Sequence, residues 1–421
     1  YDGAGRRTST TDPLGRITLF GYDASGNVVS ITDPAGAVTS ATYDAANRPV
    51  TTVDALGGTT TRVYDAAGRV VKIVDALGHS TTIAYASVGD GSKPASRTDP
   101  LGRMTTYEYD ALGRRVRTVY PDGTSELKAY DAEGRETAAT DRAGVTTWFA
   151  RDALGRTVLT TFADGATVSV AFDEVGRLTA AVDETGRTTT RAYATNRETV
   201  TEPLGGVTIR EFDGSRRIVK VTDALGRILR QTYDIGGHPL VTTYADGTTS
   251  SIVYDVARQA IGSIDPLGRT TQRTYDAAGR LATLTDPGGG VTTYGYDANG
   301  RMTSRRDANG RVTTYAYDAQ GRQLSLTRPG GGQHHLVYDA VGNPVARIDY
   351  AGRPTTLVYD TMNRLVNKVV PGGATTTYAY DATGRRTQAG GDRYAYDLRG
   401  RLVRETKASG AVLDYARDPS G

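Results

Sequence analysis

The chain has 421 residues, with 50 Lys+Arg against 47 Asp+Glu, a formal net charge of +3, and no cysteine. That balance makes no electrostatic case for nucleic acid or an anionic membrane surface, and the missing cysteines exclude a disulfide framework and thiolate metal sites. No apolar run approaches the roughly 18 residues that a membrane-spanning helix needs.

Taken in chain order, a tyrosine-aspartate pair opens the sequence at Tyr1-Asp2 and returns at Tyr22-Asp23, Tyr43-Asp44 and Tyr64-Asp65, a step of 21 residues. Units start at 1, 22, 43, 64, 85, 109, 130, 151, 172, 193, 212 and 233, then every 21 residues to 380, then at 396 and 417. The period is irregular at 85–108, 193–211 and 380–395. Phe172 and Phe212 replace the tyrosine by another aromatic, whereas Arg151-Asp152 and Arg417-Asp418 keep only the aspartate. A fixed period of this size over about twenty units identifies an array of one small supersecondary unit. Residues 1–421 therefore read as one continuous array, and, since the chain starts on one repeat and stops inside another, as a fragment of a longer polypeptide.

Each unit holds two turn signals. The first follows the tyrosine, as in Tyr22-Asp23-x-x-Gly26, Tyr64-Asp65-x-x-Gly68-Arg69, Tyr109-Asp110-x-x-Gly113-Arg114, Tyr275-Asp276-x-x-Gly279-Arg280, Tyr296-Asp297-x-x-Gly300-Arg301 and Tyr317-Asp318-x-x-Gly321-Arg322. The second is Asp-Pro-Leu-Gly-Arg, as in Asp12 to Arg16, Asp99 to Arg103 and Asp265 to Arg269. Both fit a type I turn, with Asp at the first position to accept backbone N–H groups and Gly at the fourth to take a left-handed conformation. Asn47 and Asn363 stand at that fourth position, where Asn is tolerated best after Gly. Arg258 at the same position predicts a different turn, and Asp164-Gly165 and Asp246-Gly247 predict shorter hairpin turns. Ser87 to Pro94, within the irregular unit at 85–108, predicts a longer surface loop.

Between the turns lie short segments rich in Thr, Val and Tyr, which predict strands. Thr313, Tyr315 and Tyr317 fall on one strand face, as do Thr376, Tyr378 and Tyr380. An apolar residue recurs just after the first turn at Val29, Val50, Val71, Val116, Ile261, Leu324, Val345 and Val366. No stretch free of turn signals suits a helix, so the chain is predicted to be all-β, with two strands per unit and about 40 in total. Strands about 4.8 Å apart make a ribbon of order 190 Å, and open twisted sheets seldom exceed about ten strands without curling. Phe 5, Trp 1 and Met 3 leave too few large apolar side chains for a compact sandwich. The expectation is a thin curved wall around a space.

Tyr-Asp-x-x-Gly-Arg followed by Thr-Asp-Pro-x-Gly-Arg closely resembles the YD repeats of Rhs proteins, shared by insecticidal toxin-complex C components and teneurins. The resemblance covers essentially the whole chain. It implies a β-strip spiralling into a hollow shell that, in bacterial members, encloses a C-terminal toxic domain until delivery. Rhs shells also carry a downstream core segment whose aspartates cleave the toxin from the shell. Nothing here matches it, since Asp418-Pro419-Ser420-Gly421 aligns as an ordinary repeat turn, so no self-cleavage residue carries over.

Other chemistry is weakly signalled. Aspartates repeated at turn starts read as turn caps, and the nonapeptide of calcium-binding β-rolls is absent. His79, His238, His334 and His335 are scattered, and the adjacent pair points to opposite faces of a strand. Gly288 to Gly290 and Gly330 to Gly332 lie between strands, unlike phosphate loops. The expectation is therefore a non-enzymatic shell segment with no cofactor or metal, secreted or at the bacterial cell surface. Its partners would be an enclosed polypeptide cargo such as a toxin domain and the proteins of a delivery system. Alternating Tyr and Thr also admit an adhesive wall that binds cell-surface glycans or another cell-surface protein, a reading weakened by Trp148 being the single tryptophan.

Overall fold

The computed structural model describes residues 1–86 and 91–416. Forty strands run from β1 (Ser9–Thr11) to β40 (Val412–Asp414), and each pairs antiparallel with the next in sequence, forming one uninterrupted strip. The described residues contain no helix.

The turns set this architecture. In the first turn of a unit, Asp65 N–H donates to the Arg69 carbonyl at 2.9 Å and Gly68 N–H to the Asp65 carbonyl at 3.0 Å, with Gly68 at φ +80°. One residue beyond this turn the pairing carries an extra residue on one strand. Thus β6 (Thr59–Tyr64) pairs with β7 (Val70–Val74) through Arg62↔Ile73 and Val63↔Lys72, then slips to Tyr64↔Val70. Such a bulge re-aims the strand and increases its twist. The second turn has the same backbone pattern: Asp75 N–H donates to the His79 carbonyl at 2.9 Å and Gly78 N–H to the Asp75 carbonyl at 3.0 Å. The pairing that follows, from β7 to β8 (Ser80–Tyr85), shows no slip.

Two expectations about turns are corrected. Arg258 does not change its turn. It takes φ +65°, and its N–H donates to the Asp255 carbonyl at 2.9 Å as a glycine would. Arg216, at φ +61°, does the same, while Asn47 and Asn363 adopt the expected left-handed conformation at φ 60° and 61°. Nor are Asp164-Gly165 and Asp246-Gly247 shorter hairpins. Phe162 and Tyr244 occupy the first turn position, and Gly165 and Gly247 donate back to their carbonyls at 2.9 and 3.0 Å. The carboxylates simply act from the third position, on the amides of Ala166 and Thr248. Two-residue connections occur instead between Ala194 and Arg197 and between Ala389 and Asp392. Of the loop expected from Ser87 to Pro94, residues 87–90 lie outside the described residues and Pro94 already opens a strand, Pro94–Thr98; the repeat turn from Arg417 to Gly421 lies outside the described residues.

The strip coils on itself. The turn after β1 meets the turn after β24 (Thr249–Tyr254), where Arg16 donates to Gln259 at 3.1 Å. The turn after β5 (Pro49–Val53) meets the turn after β28 (Val291–Tyr296), where Asn299 accepts the Ala55 amide at 3.0 Å. The Asp75 carboxylate, after β7, accepts a hydrogen bond from Gln320, after β30 (Val312–Tyr317). Each meeting lies twenty-three strands further along, so one coil of the strip spans roughly 110 Å and encircles a diameter of roughly 35 Å. The seam joins the second-turn rim of the first coil to the Tyr-Asp rim of the second.

No conventional core forms. Val200 and Leu357 are the only buried apolar side chains among the described residues, at 4% and 5% exposure. The accessible surface is 23460 Å², whereas a compact monomer of this mass exposes roughly 15,600 Å². The excess is that of a wall wetted on both sides. In β26 (Thr270–Tyr275), β30 and β36 (Thr375–Tyr380) exposure alternates, with the tyrosine side covered. Curvature crowds side chains on a concave face and splays them on a convex one, so the tyrosine face is the inner one. Two recesses of about 770 and 640 Å³ open on that face at the seam.

Candidate functional site: the tyrosine–aspartate rim

The residues singled out by the repeat come together along one rim of the strip. At each first turn, one aspartate oxygen caps backbone amides and the other holds an arginine. Asp65 Oδ1 accepts the Arg69 amide at 2.9 Å and Oδ2 accepts Arg69 Nε at 2.7 Å. The same carboxylate–guanidinium pair forms in Asp110–Arg114, Asp276–Arg280, Asp297–Arg301 and Asp318–Arg322, at 2.6 to 2.7 Å. At Asp23 the partner is Asn27, whose amide nitrogen reaches Oδ2 at 2.9 Å. Gly26, Gly68, Gly113, Gly279, Gly300 and Gly321 all supply the positive φ that closes the turn.

Each arginine then reaches the next unit. Arg280, Arg301 and Arg322 lie over the rings of Tyr296, Tyr317 and Tyr338 at 4.8, 5.1 and 4.7 Å from the centroid. Their Nη1 atoms donate to the backbone carbonyls of Asp297, Asp318 and Asp339 at 2.9, 2.8 and 3.1 Å. The tyrosine hydroxyl closes the circuit by donating to a backbone carbonyl 15 residues earlier: Tyr22 to Arg7, Tyr64 to Pro49, Tyr109 to Pro94, Tyr275 to Ala260, Tyr296 to Leu281 and Tyr317 to Met302, all between 2.7 and 2.9 Å. Arg69 and Arg114 stack in the same way on Tyr85 and Tyr130, at 4.5 and 4.9 Å. Where the arginine is present, as at Arg280, Arg301 and Arg322, an ion pair within the turn fixes it, and a cation–π contact with two hydrogen bonds to backbone bolts its unit to the next. Exposed cation–π contacts contribute about 0.5–1 kcal/mol and hydrogen bonds about 0.5–1.5 kcal/mol net.

This wiring ties up the chemistry of the pair. The Asp65 carboxyl is held below the ordinary aspartate range, first by the Arg69 side chain and then by the Arg69 amide. Asp44 is held down in the same order by Arg48. Burial raises the Tyr296 and Tyr317 hydroxyls, with nearby aspartates adding to the effect. The aspartates are ionised acceptors and the tyrosines neutral donors, each with its partner in place. Among the described residues, no group of three or more His, Asp or Glu is arranged to hold a metal ion.

Arg151 is the residue that pattern reading passed over. It stands where the tyrosine should be, and its Nη2 and Nε donate to the Glu136 carbonyl at 2.7 and 3.0 Å, the carbonyl a tyrosine hydroxyl would reach. Position in the repeat was the signal. At Phe172 the hydroxyl is lost but the stacking is kept, with Arg156 over the ring at 4.3 Å.

The sequence family described as RHS Repeat matches residues 1–38, 43–81, 90–125, 172–207, 212–249, 254–291, 275–310, 296–333 and 338–375. The chain belongs to the Rhs repeat family. Among curated proteins, no sequence matches it. The Rhs strip is similar in fold to the crystal structure of TcdB2–TccC3–Cdc42, with a TM-score of 0.65 and 16% identity over 96% of this chain and 30% of that one. It is also similar to the Photorhabdus luminescens Tc holotoxin pore, with a TM-score of 0.61 and 16% identity over 95% of this chain and 29% of that one. The TcdB2–TccC3 crystal structure gives 0.62 and 15% over 96% and 28%. This Rhs strip therefore spans less than a third of those chains, and at such identity the likeness is one of fold.

Proposed function

We propose that this Rhs strip is a segment of the wall of a hollow container, whose role is to enclose a polypeptide cargo and keep it from solvent and from the producing cell. One observation carries the reading: the chain closes a full coil onto itself through a seam while leaving almost no side chain buried, a design that encloses space and builds no core. The Tyr-Asp rim serves the same end as an architectural device, with its carboxylates and hydroxyls engaged in holding units together. The cargo in this reading is a toxin domain, the setting is a bacterial protein secreted or presented at the surface, and the remaining partners are the proteins that deliver it.

The test is protease protection. An unstructured fluorescent reporter fused beyond Gly421 should resist digestion on the intact strip and become sensitive once the seam is broken by Arg399→Ala and Arg364→Ala. Full digestion on the intact strip, together with specific retention on a glycan array, would replace enclosure by adhesion.

A further inference from the structure

The inner face of the wall is not electrically uniform. In its first half, one lysine and two arginines of that face are matched by carboxylates, while Arg62 and Arg97 stand without one among the described residues. Lys128 pairs with Glu136 at 2.7 Å, and Arg191 and Arg210 with Glu198 at 2.9 and 2.7 Å. From β28 through β36 the strands contain no Asp or Glu. The carboxylates of that stretch are confined to turns, where Arg or Asn partners hold them.

Three cations on these strands share the tyrosine face. Arg305 is paired in register with Tyr294, Arg347 with Leu336 and Lys368 with Leu357. They occupy the same position in their units, so they form one row across the strands, and none has a carboxylate partner among the described residues. Arg305 and Arg347 are exposed. With strands about 4.8 Å apart, the gaps in the row are roughly 19 Å and 10 Å.

We propose that this row is the docking surface for an acidic segment of polypeptide, lying extended across β28–β36. The idea rests on the enclosure reading and specifies the chemistry of what is enclosed. At about 3.4 Å per extended residue, carboxylates recurring every third residue along the segment would meet all three cations, and Tyr315 and Tyr378 would flank it. Charge complementarity selects the partner, because the patch is cationic inside a chain that is nearly neutral overall. A stacked nucleic acid fits less well. Tyr296, Tyr317, Tyr338 and Tyr380 already carry an arginine on the ring and spend their hydroxyls on backbone carbonyls.

The test is fluorescence anisotropy on the full chain with three labelled probes: a twelve-residue Glu-Gly-Ala repeat peptide, its Lys-Gly-Ala counterpart, and a twelve-nucleotide oligothymidylate. The Glu peptide should bind at least tenfold more tightly than the Lys peptide and weaken with added salt. The R305Q/R347Q/K368Q variant should lose at least tenfold of that affinity. The control R230Q/R306Q/R393Q removes equal charge from the opposite face and should bind as wild type, with both variants keeping the β circular-dichroism signal. Equal loss in the two variants, or none in the first, would overturn the proposal, as would tighter binding of the oligothymidylate through the same cations. Cargo protection is measured separately, so a strip that binds the Glu peptide but protects nothing would refute enclosure alone.

Discussion

At the scale of single residues, the repeat is held by one carboxylate acting in two directions, and how much that matters depends on where the turn sits. Asp318 and Arg322 are 8% and 19% exposed, whereas Asp223 and Arg227 are 32% and 67% exposed. Replacing Asp318 by Ala strands covered amides and an arginine, so it should cost about 2 kcal/mol in local opening, read as faster hydrogen exchange of the Arg322 amide. Asp223→Ala removes a solvent-screened pair, and exchange around Arg227 should barely change. Equal effects at the two sites would mean that the covered setting adds nothing. The left-handed arginines permit a gain. A side chain at φ +61° costs about 1–2 kcal/mol relative to the right-handed region, and glycine gives back part of that through its unfolded-state freedom. Arg216→Gly should therefore slow local opening of the 213–217 turn by about 0.5–1 kcal/mol. A faster-opening turn would show that the Arg216 side chain supplies more than its backbone costs.

At the scale of elements, the meaningful unit is the pair of turns, because alternate turns lie on opposite rims. Deleting residues 275–295 removes two strands and sets Tyr296 in the place of Tyr275, so the later Tyr-Asp turns stay on the rim that meets the first coil. Deleting residues 286–296 removes one turn and one strand, and transfers every later Tyr-Asp turn to the opposite rim. The first variant should keep both its β signal and its compactness in X-ray scattering. The second should keep the β signal but expand, since Asn299, Gln320, Arg364 and Arg399 no longer face Ala55, Asp75, Asp122 and Glu184. If both variants stay equally compact, rim identity does not hold the coils together. The strands and the rim were legible in the sequence because they repeat: Tyr64, Asp65, Gly68 and Arg69 act within a few residues or one period of each other. Arg258 misled because turn geometry here is imposed by strand pairing on either side, which overrides the local preference of one residue. Asp164-Gly165 misled because the turn starts at the aromatic Phe162, two residues before that dipeptide. The seam left no sequence signal, since Arg16 meets Gln259 at a separation of 243 residues fixed by the circumference of the coil.

At the scale of the molecule, the coil is closed by charge more than by apolar contact, which makes acid a defined probe of it. At the seam Asp122 lies 2.5 Å from Arg142 and 3.7 Å from Arg364. Its carboxyl is held below the ordinary value despite the opposing and largest effect of burial, by Thr124 through hydroxyl and amide and then by the two arginines. Rim aspartates such as Asp44 and Asp65 are lowered as well. A group whose pKa is depressed on folding contributes stability that is present above its unfolded value, about 3.9 for aspartate, and is lost as pH falls through the lower folded value. Protons therefore begin to compete for these carboxylates only below about pH 4. The coil should keep its scattering profile from pH 7 to pH 5 and open below about pH 4, with Arg399→Ala opening at a higher pH because it removes the guanidinium that Asp164 and Glu184 share at 2.7 and 2.8 Å. Expansion of the unaltered chain between pH 7 and pH 5 would show that groups other than these aspartates govern the seam, since their stabilising contribution is complete throughout that window.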